Sequence, residues 1–298
     1  MTKLASLTSF KDGDRRKVIH SGSRFEHWKR LFLGGFNSMF ILNLVGLLGI
    51  LPVILCGFYY FDSIWTTAAT LPFASSIGTG IVTIVDTASI QHITSQSSYV
   101  TYMLMLMPLA IIFSSVLVSP FFHAMRNAEY DGVVSGYTKA IAGFKYNGLK
   151  FFVLGIITAV LYEIIAVLYY FRAEAVFNGA TTFAGIAMLV GIVALAVVFA
   201  MIMVYAYVLT ATYKMSIIGA LKRSAVYTFT LFMQNVIIMV ATLVPLVLMF
   251  FGSFMVSLML TLYLFVGLSY MLSIWMVYIQ TVLSISTPQS AKKTKKAN

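Results

Sequence analysis

The chain has 298 residues, 60% of them apolar and only 10% charged, with a formal net charge of +11. Ordinary soluble domains carry about 25% charged residues, so the composition excludes a soluble fold of this length and points to an integral membrane protein. Cys56 is the single cysteine, which excludes an internal disulfide and a cysteine-based metal site.

Residues 1–35 form a basic segment with Lys3, Lys11, Arg15, Arg16, Lys17, Arg24, Lys29 and Arg30. Six apolar stretches follow, at 36–60, 99–122, 151–171, 183–209, 235–251 and 254–283. Runs of about 20 residues suit the bilayer, because a rise of about 1.5 Å per residue must cover about 30 Å of hydrocarbon. The first stretch exceeds the h-region of a signal peptide, about 7–15 residues, and is read as a retained span. None alternates with a two-residue period, which excludes an outer-membrane barrel. The predicted fold is an all-α integral membrane protein: a bundle of six transmembrane helices over 36–283, with short cytoplasmic juxtamembrane helices.

The first two spans are joined by a Ser/Thr-rich insertion, 61–98. Its "FASSIGTGIVTIVDTASI" is apolar enough to suggest a seventh span. Asp86 would cost about 3 kcal/mol near the bilayer centre, and a seventh span would put the later basic connections on the wrong side. A short interfacial or capping element is expected instead, with Tyr59, Tyr60 and Trp65 suited to an aromatic belt.

The connection 123–150 contains Gly132, Gly136 and Gly143, which argue against one long regular helix. A short helix over 137–144 is predicted, leading into the third span at Asn147. Tyr137, Ile141 and Phe144 would form its apolar face, with Lys139 and Lys145 towards headgroups. The connection 210–234 repeats the theme in "YKMSIIGALKRSAVYTF", with Ile217, Ile218 and Leu221 on one side and Lys214 and Lys222 on another. Both elements can be read as interfacial anchors or as a docking surface for a cytoplasmic partner. The tail, 284–298, carries Lys292, Lys293, Lys295 and Lys296. It is either a solvated positive end or an anionic-lipid contact worth about 1 kcal/mol per Lys.

Under this six-span arrangement nineteen of the twenty Lys and Arg residues fall on one side, and Arg172 alone lies opposite. By the positive-inside rule that side is the cytoplasm, and both termini are inside. The inner side then nets +14, the outer side −2, and Glu163 within the third span −1, which together give the +11 of the whole chain. The basic character is thus assigned to topology and not to nucleic-acid binding. The expected contacts are the lipid bilayer and anionic headgroups at the cytoplasmic face.

Three spans open on similar strings, "FNSMFILNLV", "YNGLKFFVLG" and "QNVIIMVATL". This is compatible with three copies of one hairpin, and equally with Asn as a common helix cap. Pro52, Pro108 and Pro245 lie within spans and are read as architecture.

Little in the sequence carries chemistry. The four histidines, His20, His27, His92 and His123, show no i+4 ligand spacing. No nucleophile elbow, P-loop or dinucleotide fingerprint is present, so no cofactor and no catalytic set are predicted. Glu163 is the one intramembrane carboxyl, eight residues from the outer end of its span and so about 12 Å deep. Gly155, Ala159 and Glu163 recur at four-residue spacing, a small-residue stripe that lets a neighbouring helix approach. Glu163 is therefore expected to face protein. With no cation inside any span, desolvation favours the neutral, hydrogen-bonded acid. Two roles stand open: a structural hydrogen bond, or a place in a solute or proton pathway.

The string "LNLVGLLGILPVILCGFYY", then Ser119-Pro120, Arg126-Asn127, Phe144 and Asn147, and finally "YKMSIIGALKRSA", resembles the YesL-like bacterial membrane proteins. The resemblance covers nearly the whole chain, with 61–98 as an insertion of longer members. Ser119 stands where that family usually has Gly, and Ser224 where it often has Asn. The resemblance implies a bacterial inner (plasma) membrane location and association with carbohydrate uptake and breakdown systems, with no known catalytic residue. Its candidate functional residues are Arg126, Asn127 and Asn147 in the first cytoplasmic loop, and Lys214, Lys222 and Arg223 in the second. The expected function is a non-enzymatic accessory or scaffold component that contacts other membrane transport subunits. The alternative is a transporter or permease subunit with Glu163 in its pathway. "EYDGVVSGYTKAIAGF" has some similarity to the coupling loop of ATP-driven importers, but the spacing is too short and the closing Pro is missing.

Overall fold

A backbone in hydrocarbon must satisfy its own N–H and C=O groups, and the apolar runs do so as helices. The computed structural model describes residues 25–26, 28–29, 36–74, 95–131, 137–177, 182–213, 215–248 and 251–286, and among these there is no β-strand. α1 is Phe36–Ala74. A π-helical stretch, Tyr99–Leu106, runs directly into α2, Met107–Leu117, and α3, Ser119–Asp131, follows. α4 is Tyr137–Phe177 and α5 is Phe183–Thr212. α6, Ile217–Thr230, meets α7, Phe232–Leu248, at a bend of 94°. α8, Ser253–Leu262, passes through a second π-helical stretch, Tyr263–Gly267, into α9, Leu268–Ser286.

Five stretches are long and apolar enough to cross a membrane: Asn37–Ser63, Ser95–Asn127, Ile141–Arg172, Phe183–Thr212 and Phe254–Val282. They overlie predicted spans one to four and six. Predicted span five corresponds to α7, whose 17 residues cover about 26 Å, short of the hydrocarbon core. A sixth crossing arises only when α6 and α7 are counted together across their bend.

Two expectations are corrected. α1 does not stop near Tyr60 but continues to Ala74; residues 75–94, including Asp86, lie outside the described residues. The helix expected from Tyr137 does start there and run into the third span, but it is one regular helix of 41 residues where the glycines argued against a long one. Gly143 does not break it. A side-chain carbon there would fall 2.7 Å from Pro120 Cα and 2.8 Å from Ser119 O, so the glycine serves close approach of α3.

Three features of the helices have a local cause. Pro108 has no N–H to donate, and the turn before it widens so that Met107 N–H bonds to Tyr102 O, five residues back. Gly252 joins α7 to α8 at φ +120°, a conformation that favours glycine. Ser216 caps α6 by accepting from Gly219 N at 3.2 Å.

The chain divides into two compact units. One comprises Met1–Leu47, Ser119–Lys150 and Met201–Asn298. Its interior is built on Met39, Met125, Met201, Tyr205, Met276 and Ile279. The other comprises Leu48–Val118 and Phe151–Ala200. There Cys56, Met107 and Ala110 are buried against Val53, Tyr102 and Tyr162. Cys56 donates to Tyr102 O at 3.0 Å. In the same unit the Arg172 guanidinium occupies the space a side chain at Gly185 would need, which seats α4 beside the start of α5.

Candidate functional site

Asparagines organise the first unit. Asn43, fully buried in α1, gives its amide protons to Tyr263 O at 3.0 Å and Leu264 O at 2.8 Å. Its Oδ1 accepts from Leu268 N at 2.7 Å and Ser269 N at 3.1 Å. Ser269 Oγ donates to Met39 O at 2.9 Å. The π-helical stretch displaces backbone groups from their usual partners, and one side chain from another helix satisfies four of them.

Asn235 does the same at the α6–α7 bend. It is also fully buried. Its Nδ2 donates to Tyr227 O and Thr228 O, both at 3.2 Å, carbonyls in the last turn of α6. Its Oδ1 accepts from Tyr205 of α5 at 2.7 Å and from Tyr278 of α9 at 2.9 Å. The Tyr205 ring stacks on Tyr227 at 6.0 Å and meets Trp275 edge-on at 6.1 Å. An amide deep in an apolar setting is stable only when fully bonded, and both of these are.

The α3–α4 crossing is different. Gly143 brings α4 against Ser119, Pro120 and His123, and the His123 ring lies over Tyr146 at 5.7 Å. One turn beyond Gly143 stands Asn147. Ser119, His123 and Asn147 are each more than nine-tenths buried. Ser119 Oγ, His123 Nδ1 and Asn147 Nδ2 have no hydrogen-bond partner among the described residues. Arg126 and Asn127, half-buried, follow on α3. Lys150, three residues past Asn147, donates to Met215 O at 3.5 Å and ties α4 to the segment before α6. The structure thus gathers Ser119, Pro120 and Asn147, separated in sequence, into one crossing.

On α6, Lys222 is exposed and Arg223 half-buried, while Lys214 lies outside the described residues. The face that α6 turns to the protein is not that of Ile217, Ile218 and Leu221. The buried residues are Ala220, Ser224, Tyr227 and Thr228, and Ile218 is 67% exposed. Stacking of Tyr227 on Tyr205 sets the rotation of the helix and turns Ile218 outward.

Glu163 belongs to the second unit. The stripe beneath it packs as expected: a carbon on Gly155 would lie 2.7 Å from Ser115 Cβ, and Ala159 is buried. One turn above, Tyr99 OH donates to Ala166 O at 3.0 Å, and the Tyr99 ring stacks on Tyr170 at 5.8 Å. Tyr60 meets Tyr99 edge-on at 6.0 Å, and Tyr162 OH donates to Met103 Sδ at 3.5 Å. Glu163 lies between these contacts, half-buried, with Oε2 enclosed and without a hydrogen-bond partner among the described residues.

Asn43 and Asn235 were in view as sequence, the first inside a resemblance and the second as a helix cap. The signal for their role is that an amide within a long apolar run must find bonds inside the protein. Asn37 and Asn147, at matching places in the repeated strings, differ from Asn235: Asn37 is exposed, and the Asn147 amide nitrogen has no partner among the described residues. Against known family models, curated proteins and solved structures, the chain finds no match.

Proposed function

We propose that the chain is a six-span protein of the bacterial inner membrane with both termini in the cytoplasm, acting without catalysis as an accessory or scaffold component of a membrane transport assembly. Its similarity to the YesL-like proteins links it to carbohydrate uptake or sensing. The observation that carries this reading is how the polar residues are used. Asn43 and Asn235 spend every side-chain bond on holding helices together. The exposed groups of the inner connections, Lys145, Ile218 and Lys222, point away from their unit. Basic and apolar groups side by side on such elements suit a headgroup surface or a partner. The test is affinity purification from native membranes. A complete transporter or a binding protein that co-purifies supports the accessory role. Solute movement by the purified chain alone in liposomes would overturn it.

One observation favours a second reading, a transporter with Glu163 in its pathway. Its enclosed carboxyl oxygen, without a partner among the described residues, stands beside a π-helical turn, and such turns are frequent at functional sites. Glu163→Gln keeps size and polarity, so the protein should fold. Proton-coupled uptake into liposomes falls at least about tenfold if the carboxyl carries the proton; unchanged uptake removes this reading.

A further inference from the structure

Between α7 and α9 lies an open cavity of about 550 Å³, lined by Gln234, Ile237, Ile238 and Ala241 on one side and Tyr270, Ile274, Val277 and Tyr278 on the other, with Phe25 and Trp28 across it. Trp28 Nε1 donates to Ser273 Oγ at 3.0 Å, and its ring meets Tyr270 edge-on at 6.0 Å. Tyr270 OH donates to Ala241 O at 3.3 Å and Tyr278 OH to Asn235. The aromatic hydroxyls and the indole N–H on its wall are therefore already engaged. The exposed Gln234 is the polar side chain left over on this lining, so a sugar or other hydroxyl-rich ligand would replace few of the bonds it loses to water. The lining calls for hydrocarbon.

The size narrows the occupant further. From Gln234 to Ala241 the cavity runs about 10 Å along α7. A single flexible chain fits. Charge gives the other end of the molecule. Trp28 is followed by exposed Lys29, and the sequence around it holds Arg24 and Arg30 against one acid, Glu26. Tryptophan with an apolar body and a bonded N–H is a typical residue of the membrane–water interface.

We infer that this cavity holds one acyl chain of an anionic phospholipid, with its phosphate against Lys29. The lipid joins the basic N-terminal segment to the α7–α9 pair. The site rests on the membrane reading above but on neither the accessory role nor the orientation.

The experiment incubates the purified full chain with equal amounts of phosphatidylglycerol and phosphatidylcholine of identical chains, then washes with detergent and counts retained lipid by native mass spectrometry. The wild type should retain phosphatidylglycerol about fivefold over phosphatidylcholine, the factor one basic side chain contributes at an anionic surface. Lys29→Glu should abolish the preference without lowering the total. Ala241→Phe fills the cavity and should lower retention of both lipids. Ile237→Trp, at a position already 67% exposed, does the same with little risk to folding. Excess glycerol 1-phosphate should displace nothing, because the tail carries the seat. Equal retention of the two lipids by the wild type overturns the inference. So does unchanged retention in both cavity-filling variants, displacement by glycerol 1-phosphate, or a disulfide between two copies through Ile237→Cys. A topology reporter that put the termini outside would reverse the orientation and leave these counts unchanged.

Discussion

Replacing Asn235 with leucine removes a polar junction at nearly constant volume. Two tyrosine hydroxyls, 2.7 and 2.9 Å from Oδ1, lose their acceptor. Two carbonyls, 3.2 Å from Nδ2, lose a donor. In soluble proteins each buried group left unsatisfied costs about 1–3 kcal/mol. Hydrogen bonds between membrane helices average about 0.6 kcal/mol, with a maximum near 1.7, because the unfolded chain in lipid also finds partners. The hydroxyl bonds are short and fully buried and belong near the upper value. The carbonyl bonds are longer and lie at a helix end, and belong near the mean. Asn235→Leu should therefore destabilise by about 4–5 kcal/mol. Unfolding by SDS titration in mixed micelles measures it. Tyr205→Phe and Tyr278→Phe should each cost about 1.5 kcal/mol, and each should cost almost nothing once Asn235 is leucine. If the double variants are additive within about 0.3 kcal/mol, or Asn235→Leu costs under about 0.5 kcal/mol, the junction does not hold the bend and the reasoning fails.

Asn43→Leu should leave the amides of Leu268 and Ser269 without their acceptor. Hydrogen exchange at those two positions should speed up at least about tenfold, one decade per 1.4 kcal/mol of lost protection; unchanged rates would show that the π-helical turn stands without Asn43. Gly143 and Gly148 form an internal control on one helix. Gly143→Leu meets Pro120 and should lower stability by about 1–3 kcal/mol, whereas Gly148→Ala has nothing within 4 Å and should raise it by about 0.5–1 kcal/mol. Equal effects of the two on thermal unfolding in detergent would refute the α3–α4 packing.

Span positions were legible because hydrophobicity is a local property: a residue in 183–209 needs no distant partner to favour lipid, and α5 starts where that run does. The small-residue stripe under Glu163 was legible for a related reason, since Gly155 and Ala159 mark a close approach whatever the partner. The rotation of α6 was not. The sequence marks an apolar side in Ile217, Ile218 and Leu221 but not which residues face the protein, and the stacking of Tyr227 on Tyr205, in another helix, decides that. Gly143 was misread for the same reason. Its low helix propensity is a local cost, and its benefit comes from Pro120 across the crossing.

The sequence by itself determined that the chain carries helices long and apolar enough to cross a membrane, and where most of them lie. These follow from transfer of side chains and charges between water and hydrocarbon, which depends on composition along a short window. Only the tertiary structure decided that Asn43 and Asn235 each satisfy four groups, that Ser119 and His123 pack against Gly143, and that Trp28 closes a cavity between α7 and α9. Hydrogen bonds and packing are pairwise, and their partners lie far along the chain: 220 residues from Asn43 to Tyr263 and 245 from Trp28 to Ser273. No local window contains both ends.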